Sequence, residues 1–246
     1  MKVQITYTPT VRESLNFAEN SLKSFNSYNY EAELNEGFTR ATNKLEGMYD
    51  YPLAKDGRLY QMKEGQDPVY LTKLACVLNN VKFWHKVRDN NEVMIFAEHD
   101  SICVSDISHF DSFEYMILNV DTAFIKNPKY KRYIKKFGQQ KLYNTSNKHI
   151  QQMGDDWPLK YYHKNNWEGS LMVPGTAAYA ISPQGADRLI TAAETIGLDQ
   201  SDYFINSSNI DIQYVLPSPV QLSDKILSTS WLTELTKPDK KKGILR

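Results

Sequence analysis

Val93-Met94-Ile95-Phe96-Ala97 is an unbroken apolar run that stops at Glu98-His99-Asp100. It is far shorter than the ~20 apolar residues of a membrane span. It has the length and character of a strand buried on both faces. Such a strand needs a layer of helix on each side, which predicts an α/β sheet. The flanking sequence supplies the helices. Leu71, Leu74, Leu78 and Val81 recur at helical spacing, Trp84 and Val87 extend the pattern, and Asp89-Asn90-Asn91 ends it. Upstream, Val3–Tyr7 alternates as a first strand. Thr10 and Glu13 have capping-box spacing, and Leu15, Ala18, Leu22 and Phe25 form the face of a helix behind them. Residues 26–68 are polar and tyrosine-rich and read as loop with weak strands. Tyr115–Val120 and Ala177–Ile181 read as further buried strands. Ser182-Pro183 opens a helix whose core face is Ala186, Leu189, Ile190, Ala193 and Ile196, and Gly197 stops it. Ile210–Leu216 is a last strand before Pro217 and Pro219.

A chain of 246 residues, 41% hydrophobic and 24% charged, is long enough for a substantial core. This composition excludes intrinsic disorder and a small disulfide scaffold. Lys and Arg total 29 and Asp and Glu total 29, so the net charge names no partner. Two cysteines, Cys76 and Cys103, fit a reducing compartment. The opening Met1–Tyr7 lacks the apolar stretch of a signal peptide, and no membrane-length run follows. The expectation is a soluble, cytoplasmic protein, in the host cytoplasm if it is a bacteriophage product. Phosphate-binding glycine-rich loops and hydrolase nucleophile motifs are missing. His109, His149 and His163 have no metal-ligand spacing, and His85 reads as a packing residue of its helix.

Acidic groups at the C-terminal end of a buried strand sit where open α/β sheets bind ligands. Glu98, His99 and Asp100 therefore form a candidate metal site for a nucleotide diphosphate. Carboxylate oxygens suit Mg²⁺ or Mn²⁺, and the imidazole tilts the choice toward Mn²⁺. The plain alternative is a polar strand end running into a turn.

The segment Tyr70–Val87 followed by Glu92–Asp100 resembles the family 25 glycosyltransferases, the lipopolysaccharide-type sugar transferases and their collagen galactosyltransferase relatives. Their helix carries Gly-Cys-x-x-Ser-His-x-x-x-Trp, and their strand ends in Leu-Glu-Asp-Asp. Ala75-Cys76 and Trp84 match this pattern; Asn79-Asn80 replaces Ser-His, and Ala97-Glu98-His99-Asp100 stands for the acidic motif. Downstream, Pro174–Ala186 is similar to Gly-Thr-x-x-Tyr-x-Ile-Ser-x-x-Gly-Ala. Leu198-Asp199 and Val215-Leu216-Pro217 resemble the closing elements.

The resemblance implies a glycosyltransferase A-type fold, a Rossmann-like mixed sheet flanked by helices. It implies a single domain over 1–235, with a nucleotide-sugar half (1–121) and an acceptor half (122–235), before a basic tail at 236–246. The donor it implies is a nucleotide sugar, usually a uridine diphosphate sugar. Donor contacts are expected from Thr8 and Thr10 after the first strand, and from Glu98, Gly175 and Thr176. Asp199, Asp202 and Asp121 are the candidate bases for the acceptor hydroxyl.

Between Lys126 and Lys148 lie eight of the 29 basic residues and no acidic one. Tyr130, Tyr133, Phe137 and Tyr143 are interleaved. Such a segment suits a polyanion. Lys126, Lys129, Lys131, Arg132, Lys135 and Lys136 are the predicted acceptor contacts. A solvated positive face with no partner is the alternative. Two polyanions fit: phosphorylated lipopolysaccharide, and phage DNA with hydroxymethylated bases, which is favoured by the lack of an anchor. A rival of another class is a non-catalytic nucleic-acid-binding module on a decayed transferase fold.

Overall fold

The computed structural model describes residues 1–110, 112–119, 140–144, 160–161, 171–172 and 176–223. The apolar run is β3, Met94–Glu98. It lies between β1 (Lys2–Tyr7), parallel to it, and β9 (Ala178–Ile181), antiparallel. With β2 (Glu31–Glu36), β5 (Tyr115–Ile117), β6 (Lys141–Asn144) and β10 (Ile212–Leu216) they form a seven-stranded mixed sheet, ordered β2-β1-β3-β9-β5-β10-β6. Two small antiparallel pairs accompany it: β4 (Ser101–Cys103) with β11 (Val220–Leu222), and β7 (Lys160–Tyr161) with β8 (Leu171–Met172). The sheet and its flanking helices match the expected Rossmann-like class.

Alternation along the buried strands divides the core in two. Met94, Phe96, Tyr179 and Ile181 pack with α3 (Tyr70–Asn90) and α4 (Pro183–Ile196). Ile95, Ala97, Ala178 and Ala180 pack with Ala18 and Phe25 of α1 (Arg12–Asn26). Both faces of β3 are covered, which is why its sequence shows no polar alternation.

Several local expectations change. Thr10 does not cap α1: Val11 occupies the N-cap without a side-chain bond, and Thr8 N–H donates to Ser14 Oγ at 2.9 Å instead. The buried stripe of α1 is Ser14, Ala18, Ser21 and Phe25 rather than the leucines. Residues 26–68 contain β2, in keeping with the weak strands expected there, and a short helix α2 (Arg58–Glu64) that polar composition concealed. The strand from Tyr115 ends at Ile117, and Ile196 is 46% exposed.

The capping at Ser182 holds: its Oγ accepts Gly185 N–H at 3.1 Å. A Cβ on Gly185 would lie 2.4 Å from the Glu114 carbonyl oxygen, so this close approach of α4 to the chain before β5 demands glycine. Gly197 closes α4 with φ 89°.

A buried chain of hydrogen bonds joins helix to sheet. Trp84 Nε1 donates to the Tyr179 hydroxyl at 3.1 Å, which donates to Asn80 Oδ1 at 2.7 Å. Asn80 Nδ2 donates to Ser201 Oγ at 3.2 Å and to the Cys76 carbonyl at 3.1 Å. Ser201 opens α5 (Ser201–Phe204), whose Phe204 stacks on Trp84 at 5.8 Å. Asn80→Ala strands Tyr179 and Ser201 in the core. We expect it to cost roughly 1–3 kcal/mol, read as a lower urea midpoint at an unchanged slope.

Candidate functional site

Glu98 ends β3 at the C-terminal edge of the sheet, opposite the start of β9. Its N–H donates to the Ala177 carbonyl at 2.8 Å, and that carbonyl also accepts Ser101 Oγ at 2.7 Å. Thr176 Oγ1 donates to Glu98 Oε1 at 3.2 Å. Two predicted donor contacts, Glu98 and Thr176, are thus brought together.

Burial pushes the Glu98 carboxyl up to about 7; the charges of Asp100 and Asp202 push the same way, while Thr176 and Lys73 oppose them. Asp100 is 6% exposed and is also raised, chiefly by burial, with His99 opposing. Its Oδ1 has no hydrogen-bond partner. Cys76, open to solvent on α3, has its thiol pushed up to about 11, first by burial and then by Glu98. Lys73 opposes that rise and Asp202 adds to it. Glu98, Asp100, Asp202, Cys76 and Lys73 thus form one electrostatic neighbourhood. The Tyr115 hydroxyl, fully buried and unpartnered, feels Asp202 and Glu98 from beneath.

His99 departs from expectation. The period of two that sends Glu98 to the α3 face sends His99 to the other. Its ring meets Phe17 of α1 edge-on, with centroids 6.1 Å apart. Among the described residues, no three His, Cys, Asp or Glu side chains stand as a ready metal-binding group. The predicted Glu98-His99-Asp100 triad is therefore not assembled as three ligands. Glu98 and Asp100 alone fit a cation, since both carry raised carboxyls and Asp100 Oδ1 is buried without a partner.

The candidate bases separate. Asp199 is fully buried and caps α2 across the fold: its oxygens accept N–H groups from Arg58 at 3.0 Å, Leu59 at 2.7 Å and Gln200 at 2.8 Å. Those bonds give it a structural task, holding the start of α2. Asp202, three residues on, faces the Glu98 neighbourhood from α5. Thr8 and Thr10 lie on the loop after β1, at the sheet edge where Thr6 pairs with Glu98. Asp121, Gly175 and the acceptor set Lys126, Lys129, Lys131, Arg132, Lys135 and Lys136 lie outside the described residues.

The substituted Asn79-Asn80 pair has clear work. Asn79 accepts Phe38 N–H at 2.6 Å and donates to its carbonyl at 3.2 Å, clamping that loop to α3. Asn80 is the hub that holds Ser201, the neighbour of Asp202.

The family profile described as glycosyltransferase family 25 (LPS biosynthesis protein) matches residues 19–205. That span contains α3, the Glu98 strand end, Thr176 and Asp202. The chain belongs to glycosyltransferase family 25. No curated protein matches it. Membership makes this protein a sugar transferase, acting on a nucleotide sugar and an acceptor. No helix among the described residues is long and apolar enough to cross a membrane.

Sequence reasoning missed Lys73 and the Tyr115 hydroxyl. The signal for Lys73 was its spacing of three from Cys76 on a predicted helix. Nothing in the sequence distinguished Tyr115 from other core tyrosines.

Two measurements follow from this geometry. The Glu98 carboxyl titrates at about 7 in the fold against a usual 4.5, so the folded state holds its proton more tightly. Its contribution is fully present below pH 4.5 and is lost as pH rises through 7. Glu98→Gln should therefore gain stability over the wild type at pH 8, by roughly 1–3 kcal/mol, and lose that advantage at pH 4. Denaturant titrations at the two pH values check this. Asp199→Ala should lower the melting temperature by the equivalent of roughly 2 kcal/mol, because three backbone donors lose their acceptor. Unchanged melting would refute the capping role.

Proposed function

We propose that this family 25 member moves a sugar from a nucleotide diphosphate sugar, of the uridine type, to a hydroxyl of a polyanionic acceptor. The observation that carries this reading is the buried acidic pair at the end of β3, with the charge of Asp202 acting on Glu98. In the reaction the bond from the anomeric carbon to the diphosphate oxygen breaks, and its electrons leave with the diphosphate. The acceptor oxygen bonds to that carbon and gives up its proton. Asp202 takes that proton, since Asp199 is occupied at the end of α2. Thr176 orients Glu98 through its hydroxyl. Glu98 and Asp100 would hold a divalent cation, Mn²⁺ or Mg²⁺, which when bound neutralises charge on the leaving diphosphate.

Two acceptors are in view. The family description supports a lipopolysaccharide hydroxyl. The acid-free, aromatic-laced stretch from Lys126 to Lys148 supports a nucleic acid, with hydroxymethylated DNA bases supplying the hydroxyl. A base in a duplex would have to leave the stack to react.

The test is mass spectrometry of both acceptors after incubation with a panel of nucleotide sugars and either cation. A hexose-sized mass gain on one acceptor names it, and no gain on either refutes the polyanion reading. Asp202→Asn and Asp100→Asn should each lower turnover about a hundredfold or more while melting stays near the wild type. Full activity in Asp202→Asn would move the base elsewhere.

A further inference from the structure

Lys73 stands one turn before Cys76 on α3, so the two side chains share a helix face. Cys76 on that face meets solvent. Three lysines of the described residues pair with carboxylates: Lys2 with Glu92 at 2.8 Å, Lys63 with Glu46 at 3.1 Å, and Lys86 with Glu33. Half-buried Lys73 has no carboxylate within ion-pairing distance among the described residues.

Its position is electrostatically unfavourable by itself. Lys73 is at the start of a 21-residue helix, where the dipole opposes a cation. No acidic residue lies in the first turn of α3, and Val69 provides no side-chain cap. Asp67, outside the helix, accepts the Val69 N–H at its carboxylate, at 2.9 Å, and the Tyr70 N–H at its carbonyl, at 3.0 Å, which leaves the N–H groups of Leu71 and Thr72 in the first turn. Next to Lys73, the Thr72 hydroxyl is buried, its residue 8% exposed, and has no hydrogen-bond partner among the described residues. Helical side chains lean toward the N-terminus, so this hydroxyl and the Lys73 stem point to the open end of α3.

Three features that favour an anion therefore meet at one corner: a cation and a buried hydroxyl that are both without a partner among the described residues, and the positive end of a long helix. Beside them are Glu98, Asp100 and Asp202, which alone would repel a diphosphate. We propose that Lys73 and the first turn of α3 bind the diphosphate of the sugar donor and hold it as the leaving group departs. This assignment rests on the nucleotide-sugar reading above. Lys73 acts on both Glu98 and Cys76, which places its charge within electrostatic reach of the acidic strand end. An ammonium supplies a point charge with rotatable donors, suited to a diphosphate.

The test uses the full chain. Uridine, guanosine and thymidine diphosphates are titrated calorimetrically into wild type, Lys73→Met and Lys73→Arg, with the matching nucleosides as controls. Iodoacetamide labelling of the exposed Cys76, read by mass spectrometry, reports occupancy of the neighbouring face of α3 without any turnover. We expect Lys73→Met to weaken the preferred diphosphate about tenfold or more, and Lys73→Arg to stay within about threefold. Nucleoside affinity should be equal in all three. The preferred diphosphate should slow Cys76 labelling in the wild type and fail to do so in Lys73→Met at the same concentration. Equal diphosphate affinity in wild type and Lys73→Met overturns the Lys73 assignment and leaves the nucleotide-sugar reading intact. Absence of any diphosphate binding to the wild type overturns both. Should circular dichroism show Lys73→Met unfolded, Lys73→Gln decides in its place by the same criteria.

Discussion

The hydrogen-bond chain from Trp84 through Tyr179 and Asn80 to Ser201 sets the geometry on which the rest depends. It ties α3, β9 and α5 together in a region closed to water. Each polar group in it has a partner, so its burial carries little penalty, and the low dielectric strengthens each bond. Phe96, Tyr115 and Phe83 pack around Tyr179, with the Tyr115 ring 4.5 Å away, so the tyrosine cannot swing. The same chain fixes Ser201 and hence the direction of Asp202. A core built for packing thus becomes the support for an acid at the sheet edge.

The edge itself is under electrostatic tension. Glu98 and Asp100 are desolvated, both have raised carboxyls, and Asp202 adds a further charge. Groups that repel in the folded state lower its stability and are retained where a ligand relieves them. Thr176 offsets a part of this through its bond to Glu98. A cation and the donor's diphosphate are the two charges that would complete the balance. Such tension contrasts with Asp199, whose burial is offset by three backbone donors and which strengthens the fold.

The departures from the family pattern have physical consequences. Asn79-Asn80 keeps the polarity of the Ser-His pair and uses it for structure, clamping Phe38 on one side and Ser201 on the other. His99 replaces an acid at a position that faces α1, where an imidazole edge can pack on Phe17. Glu98 and Asp100 are the acids of that motif that remain in this chain.

Much of the architecture was legible in the residues. An apolar run without alternation means a strand covered twice, and helical spacing over Leu71–Val87 means a long helix before it. Ser182-Pro183 marks a helix start because its chemistry is local. The acidic strand end marked a candidate site because the ends of parallel strands meet ligands in this class of sheet. Other features were decided by contacts far apart in sequence. Thr10 does not cap because α1 begins one residue later than the capping box implies, with Val11 at the N-cap. Asp199 and Asp202 are alike in sequence, yet only the fold brings Arg58 and Leu59 to one and Glu98 to the other. His99 and Lys73 could be assigned only once the faces of β3 and α3 were known. Hydrophobic periodicity and local capping are properties of neighbouring residues, and the sequence determined them. Which carboxylate is satisfied and which is left charged depends on partners brought from elsewhere in the chain, and that was settled by the tertiary structure alone.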